Sequence, residues 1–363
     1  MPTTTRIFNF SAGPAVMPLP VLEQAQRELV ALPGVGMSVL EISHRSKTFE
    51  DILGQAIADV RELGHVDDRY SILFLQGGAS LQFSMVPMNF LGAGQVADYI
   101  DTGSWADKAA KEAKKIGTVN ITGSTKADNY SRIPSQHELK LTSGAAYVHI
   151  TTNNTIEGTQ WHSLPDVSDA PLVADASSDI FSQPIDVTRF GLIYAGAQKN
   201  LGPSGVTLVI VRKDLLARSN DSLPVMLNYK MQSENNSLYN TPPTFGIYLL
   251  GLTMKWLKAL GGLTAIATVN ERKAAKLYAE IDRSGFYRGT ADKAGRSRMN
   301  VTFRLPTEEL EKRFEKEATA QGLDGLKGHR SVGGMRASIY NAFPDEGVDA
   351  LVAFMREFER TRG

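Results

Sequence analysis

The 363-residue sequence contains no cysteine, which excludes disulfides, thiolate metal sites and any chemistry needing a cysteine nucleophile. Its six histidines, at 44, 65, 137, 149, 162 and 329, show no His-x-x-x-His or comparable ligand spacing, so neither a structural nor a catalytic metal is expected. Neither sign of charge is in excess: Lys plus Arg and Asp plus Glu number 39 each, with no long run of one sign. Binding to nucleic acid or to an anionic membrane therefore has no compositional support. No stretch approaches the ~18 uninterrupted apolar residues of a spanning helix, and MPTTTRIFNF at the start lacks the apolar core of a signal peptide. A cytoplasmic location is expected on those grounds. What remains is an ordinary globular composition, 42% apolar and 8% aromatic, long enough for about two domains.

The most informative stretch is 191–210, GLIYAGAQKNLGPSGVTLVI. Leu192–Ala195 and Val206–Ile210 read as buried strands, and Gly202, Pro203 and Gly205 punctuate the gap between them. Lys199 sits at that turn. A lysine in a Gly/Pro-rich turn is ordinarily a solvated surface residue. A second run, PLVADASS over 171–178, changes the weighing, because its apolar strand ends on Asp175. In an open parallel sheet, ligands bind beyond the carboxyl ends of the strands. An amine and an acid delivered there suit pyridoxal phosphate, which needs a lysine to form an imine with its aldehyde and a carboxylate to keep its ring nitrogen protonated.

Taken in order, the chain opens with a Gly13-Pro14 turn and a helical pattern over 20–32, whose apolar positions Val21, Leu22, Ala25, Leu29 and Val30 read as core. The pair His44-Arg45 precedes a helical pattern over 49–63 that Gly64 is placed to cap. Ser71–Leu75 reads as a buried strand running into Gln76-Gly-Gly-Ala-Ser80 and an apolar helix. That geometry aims free backbone N–H groups and the positive helix end at an anion, and Ser80 adds a hydroxyl, although many such turns only reverse the chain. The next strand, 95–100, leads to Asp101-Thr-Gly-Ser-Trp105 and a polar helix over 106–115. A Trp at such a corner commonly covers the core edge, but its flat face also suits stacking on a pyridine ring. The pattern repeats at 145–151, followed by Thr152-Asn-Asn-Thr155. Strands and helices alternating at this rhythm imply an α/β fold with a mainly parallel sheet.

Residues 219–246 are rich in Asn, Ser, Pro and Tyr, and a helical pattern over 245–260 closes at Gly261-Gly262. From there a smaller second domain is expected, with a helix over 263–284, a strand over 298–305, a helix over 308–321, a strand over 335–340 and a final amphipathic helix carrying Val348, Leu351, Val352, Met355 and Phe358. The expected division is 1–260 and 261–363.

In this order, FNFSAGP (8–14), ISHRS (42–46), YAGAQKNLGPSG (194–205), YNTPPTF (239–245) and KGHRSVGGMRASIYNA (327–342) give the chain a resemblance, over nearly its whole length, to the phosphoserine aminotransferases. These are pyridoxal-phosphate enzymes of the class V aminotransferase group. The resemblance implies the fold type I architecture of that group, a large α/β domain plus a smaller C-terminal α+β domain, assembled as a homodimer. It implies that Lys199 forms the internal imine, that Asp175 pairs with the pyridinium nitrogen, that Trp105 stacks on the ring and that Thr155 lies near its polar edge. Gln198, Ala79 and Ser80 would contact the cofactor phosphate, and Asn240 and Thr241 would reach it from the neighbouring subunit. Arg336 would hold the substrate carboxylate, and His44, Arg45, His329 and Arg330 its phosphate. Some relatives have Gly-Arg where this chain reads Ala79-Ser80, which removes a possible cation.

The residues themselves support the substrate sites. A phosphate and a carboxylate on one small molecule demand several cations, and arginine's planar fork matches a carboxylate. Two His-Arg pairs far apart in sequence make one anion site if the fold unites them. The implied reaction is a ping-pong exchange between 3-phosphooxypyruvate plus glutamate and phosphoserine plus 2-oxoglutarate, in serine biosynthesis; the sequence does not decide whether the related 4-phosphohydroxythreonine of pyridoxine biosynthesis is also used. Class V enzymes acting on serine or alanine with glyoxylate would leave the His-Arg pairs without a partner. A desulfurase lacks its cysteine here, and a non-catalytic relative would have no use for Lys199, Asp175 and Trp105 together.

Overall fold

The computed structural model describes residues 6–363. Its centre is a seven-stranded sheet, built from β1 (Tyr70–Leu75), β2 (Val96–Asp101), β3 (Thr118–Ser124), β4 (Val148–Thr151), β5 (Leu172–Asp175), β6 (Leu192–Gly196) and β7 (Thr207–Arg212) in the order β1-β7-β6-β5-β4-β2-β3. Only β7 runs against its neighbours; the pairs β6–β5, β5–β4, β4–β2 and β2–β3 are parallel. The apolar runs of these strands are continuous because both faces are covered. Leu172 and Ala174 point into one core cluster and Val173 into the other, and Leu208 and Ile210 are divided from Val209 and Val211 in the same way. The consequence for the site is directional: the carboxyl ends of six strands, including those closing on Asp175 and Gly196, share one edge.

A three-stranded antiparallel sheet (Arg288–Gly289, Asn300–Arg304, Met335–Ser338) packs with the helices Gly262–Ser284, Glu308–Ala320 and Asp345–Arg362 around a third core cluster. Phe10 belongs to that cluster, and Phe8–Asn9 pairs in parallel with Leu323–Asp324. Buried amides fasten this layer to the large sheet. Asn153 Nδ2 donates to Asn300 Oδ1 at 2.7 Å, and Asn341 N donates to Asn200 Oδ1 at 3.0 Å, one residue from Lys199. Lys273, fully buried, donates to the carbonyls of Ile339, Tyr340 and Phe343 at 3.0, 2.7 and 3.1 Å. It thereby fixes the segment that follows Arg336.

Several expectations need correction. The first helix is Leu19–Glu28, stopping short of 32, and Leu29 and Val30 are exposed, not core. Pro33 and Gly34 lie just beyond, where continued helix is unfavourable. The second helix runs Lys47–Gly64 behind a Ser46 cap, and the left-handed residue that ends it is His65, φ 49°. Gly64 serves packing instead, since a Cβ there would come within 3.2 Å of Phe181. Strand β3 is not announced by the sequence pattern. It is an edge strand, mostly exposed or half-buried, so it lacks the apolar run that announces its neighbours.

Candidate active site

At the shared edge of the sheet lies a cavity of about 330 Å³. Most of its wall comes from strand ends of the large sheet. β1 delivers the turn and helix start at Gly78, Ala79 and Ser80, β4 leads to Asn153 and Thr155, β5 ends on Asp175, and β6 runs into Gln198 and Lys199. Trp105 enters from the corner after β2, and His329 and Arg336 close the cavity from the smaller layer. Nine residues singled out from the sequence thus converge on one space: Ala79, Ser80, Trp105, Thr155, Asp175, Gln198, Lys199, His329 and Arg336.

Lys199 Nζ donates to Thr155 Oγ1 at 2.8 Å. Burial pushes the amine's pKa down to about 8; Asp175 and Asp179 oppose the shift, and Arg336 adds to it. Asp175 is 4% exposed, and burial pushes its carboxyl pKa up, while Ser177 counteracts by donating its backbone N–H to Oδ1 at 3.0 Å. Ser177 Oγ also accepts from Gly196 N at 3.1 Å, which ties the acid's strand to the lysine's. Behind Asp175, burial pushes Asp179 up to about 6, and its oxygens accept from Thr152 Oγ1 at 2.5 Å and Gln160 Nε2 at 3.1 Å.

The helix Gly78–Phe90 opens without a side-chain cap. Gly77, at φ 85°, turns the chain into it, and a Cβ there would meet Leu81 at 2.5 Å. Its first N–H groups therefore face the cavity as an anion seat. At the other end, Arg336 forms no salt bridge among the described residues, and its Nε is buried without a partner. A cation left in that state is a site for an anionic ligand.

The remaining expected residues stand elsewhere. His44 is half-buried with Nε2 unpartnered, Arg45 is exposed, Asn240 is half-buried and Thr241 exposed, and none lines the cavity of its own chain. Arg330 is exposed and lines a neighbouring groove with Glu308, Glu311 and Lys312. Sequence reasoning missed Ser177, Ser178, Asn153 and Gly13, all of which border the cavity. The signal for Ser177 was present, two residues past Asp175 in a run of small side chains.

The family model described as Aminotransferase class-V matches residues 7–351. The chain belongs to the class-V aminotransferases. Among curated members, the phosphoserine aminotransferase of Herpetosiphon aurantiacus is 57% identical over 358 residues, 98% of this chain and 99% of that one. That of Desulfosudis oleivorans is 57% identical over 360 residues, 99% of each chain. Among solved structures, the phosphoserine aminotransferase of Bacillus circulans subsp. alkalophilus superposes with a TM-score of 0.98 at 54% identity, covering 99% of this chain and 100% of that one. The PLP-bound phosphoserine aminotransferase of Trichomonas vaginalis gives 0.93 at 41%, covering 97% and 100%. A class-V aminotransferase therefore has its expected fold here, a mainly parallel sheet flanked by helices.

Proposed function

We propose that this class-V aminotransferase is a pyridoxal-phosphate-dependent phosphoserine aminotransferase, exchanging an amino group between glutamate and 3-phosphooxypyruvate to give phosphoserine and 2-oxoglutarate. The observation that carries the reading is a single cavity holding a buried acid, a lysine with depressed pKa, an uncapped helix start and an unpaired arginine. Its residues fit pyridoxal phosphate. Lys199 would be its attachment point, Asp175 would answer the ring nitrogen, and the N–H groups of Ala79 and Ser80 with Gln198 would hold the phosphate. Trp105, whose Nε1 is buried without a partner, covers the ring beside Thr155.

When bound, the cofactor supplies an aldehyde that takes up the amine and an electron-poor ring that accepts the electron pair released at Cα. Lys199 Nζ, once freed by the incoming amine, would take the substrate's Cα proton and deliver it to the carbon that had been the cofactor's aldehyde, a task that needs the neutral amine. An ordinary lysine near pKa 10.4 is almost wholly protonated at neutral pH, whereas burial to about 8 brings the neutral form within reach. Asp175, enclosed by protein and steadied by Ser177, would keep a proton on the ring nitrogen. Arg336 grips the α-carboxylate in a two-point fork. His329 and Arg330 take the substrate phosphate, or the side-chain carboxylate of glutamate.

His44, Arg45, Asn240 and Thr241 belong to this proposal through a homodimer. Each lies outside its own chain's cavity, close in sequence to exposed apolar side chains: Met37 and Leu40 before His44, Tyr239 before Asn240. Glu28 and Tyr248 are hydrogen-bonded, joining the segment that bears exposed Leu29 and Val30 to the helix after Asn240. A second copy seated there would cover the apolar groups and bring these residues to its cavity. No helix among the described residues is long and apolar enough to cross a membrane. The cytoplasm is proposed as the location because the reaction's charged substrates do not cross membranes unaided. The two-domain division at 260–261 is retained as part of this reading. The test is Lys199→Ala: the variant is expected to bind cofactor without the visible band of the covalent form and to lose turnover. Full activity in that variant would refute the assignment.

A further inference from the structure

Glu157 is an acid that the chemistry above does not use, yet it is 6% exposed. Its Oε1 accepts from Ser104 N at 2.9 Å and from Ser104 Oγ at 2.5 Å. Ser104 opens the helix Ser104–Ala113, and Trp105 is the next residue. The helix has no local cap, because Gly103 precedes it. A Cβ at Gly103 would lie 2.3 Å from Asn154 Oδ1 and 2.7 Å from Glu157 Oε2, so the corner is pressed against the 154–157 loop. Asn154 Nδ2 donates to Thr102 Oγ1 at 2.9 Å, a second clamp on the same corner. The loop that supplies both clamps also supplies Thr155, the acceptor of the Lys199 amine.

The arrangement is costly for a simple cap. Burial pushes the Glu157 carboxyl pKa up, and Oε2 is buried with no partner. A capping serine or aspartate at position 103 is sterically barred by Asn154 and Glu157, so the helix start is held from across the corner, by the loop that also carries Thr155. We propose that Glu157 is a positioning residue, which by holding Ser104 sets the seat of the Trp105 ring relative to Thr155 and Lys199 and so fixes the stacking of the bound pyridine ring. The proposal rests on Trp105 being the stacking group.

The test compares Glu157→Ala, Glu157→Gln and Trp105→Ala in the holoenzyme, reading the visible circular dichroism of the bound cofactor and its dissociation constant. Loss of a helix cap corresponds to roughly a twofold to thirtyfold change in an equilibrium, so Glu157→Ala is expected to weaken cofactor binding about tenfold and reduce the dichroism. Glu157→Gln keeps an acceptor oxygen for Ser104 and is expected to stay within about threefold of the parent. If Trp105→Ala changes neither signal, the stacking reading itself fails. If Trp105→Ala changes both and Glu157→Ala changes neither, stacking stands and the positioning role is overturned. A Gln variant indistinguishable from the Ala variant also overturns it. Should Glu157→Ala not fold, Glu157→Asp, whose carboxylate is one methylene too short to reach Ser104 N and Oγ, tests the same hold, and an unaltered spectrum there refutes the proposal.

Discussion

Replacing Arg336 with methionine should move stability and activity in opposite directions. In the ligand-free protein the guanidinium faces no carboxylate within salt-bridge distance among the described residues, its Nε is buried without a partner, and burial pulls its pKa down. A partly buried cation with no ion-pair partner, opposed in its desolvation only by the more distant Tyr340 and Glu157, is a burden on the fold, and an apolar side chain of similar length relieves it by on the order of 1 kcal/mol. Substrate reverses the sign. Two hydrogen bonds between charged partners contribute about 1.5–3 kcal/mol each, so losing the fork should lower kcat/KM by about a hundredfold to ten-thousandfold. Urea unfolding of the cofactor-free protein and steady-state kinetics with phosphoserine measure the two effects separately. A methionine variant that unfolds more readily than the parent would show that the guanidinium is part of the scaffold. One that keeps kcat/KM within tenfold would remove it from the substrate site.

Lys199 predicts a pH signature for the cofactor-free protein. Its pKa of about 8 lies below the unfolded value near 10.5, so between those limits the unfolded chain binds more protons and stability rises with pH. The rise attributable to this residue is ~3.4 kcal/mol at most, and Lys199→Met should abolish it; an unchanged pH profile would show that the amine is not desolvated. Gly77→Ala places a Cβ 2.5 Å from Leu81 at a φ of 85°, so cofactor affinity should fall by at least about tenfold. Wild-type affinity there would remove the helix start from the phosphate seat. Mixing Lys199→Ala chains with Thr241→Ala chains should restore activity beyond either parent, because a mixed dimer carries both defects in one site and neither in the other. No recovery after verified subunit exchange would argue against a shared site.

The central sheet was legible because its strands are buried on both faces and therefore appear as unbroken apolar runs ending in chemically distinctive residues. Asp175 after Leu172–Ala174 and Lys199 after β6 are the clearest cases. Strand β3 was not legible, since an edge strand with exposed Thr118, Ile121 and Ser124 resembles a loop. Leu29 and Val30 misled for the opposite reason: they continue the apolar spacing of the helix, but they lie past its end at Glu28 and stay exposed. Likewise His44-Arg45 and His329-Arg330 read alike as dipeptides, yet only His329 lines the cavity of its own chain. Glu157 gave no local sign, because its partner Ser104 is 53 positions away and only the folded corner reveals what the carboxylate holds.

The most direct measurement is a single-turnover half-reaction of the holoenzyme with phosphoserine and, separately, with serine. Phosphoserine should convert the bound cofactor to its amine form with release of 3-phosphooxypyruvate. The rate constant per unit concentration should exceed that for serine by at least about a hundredfold, the value of two charge-assisted phosphate contacts. Equal efficiency with the two amino acids would contradict the assignment of His329, Arg330 and their partners to a phosphate site, and with it the proposed substrate.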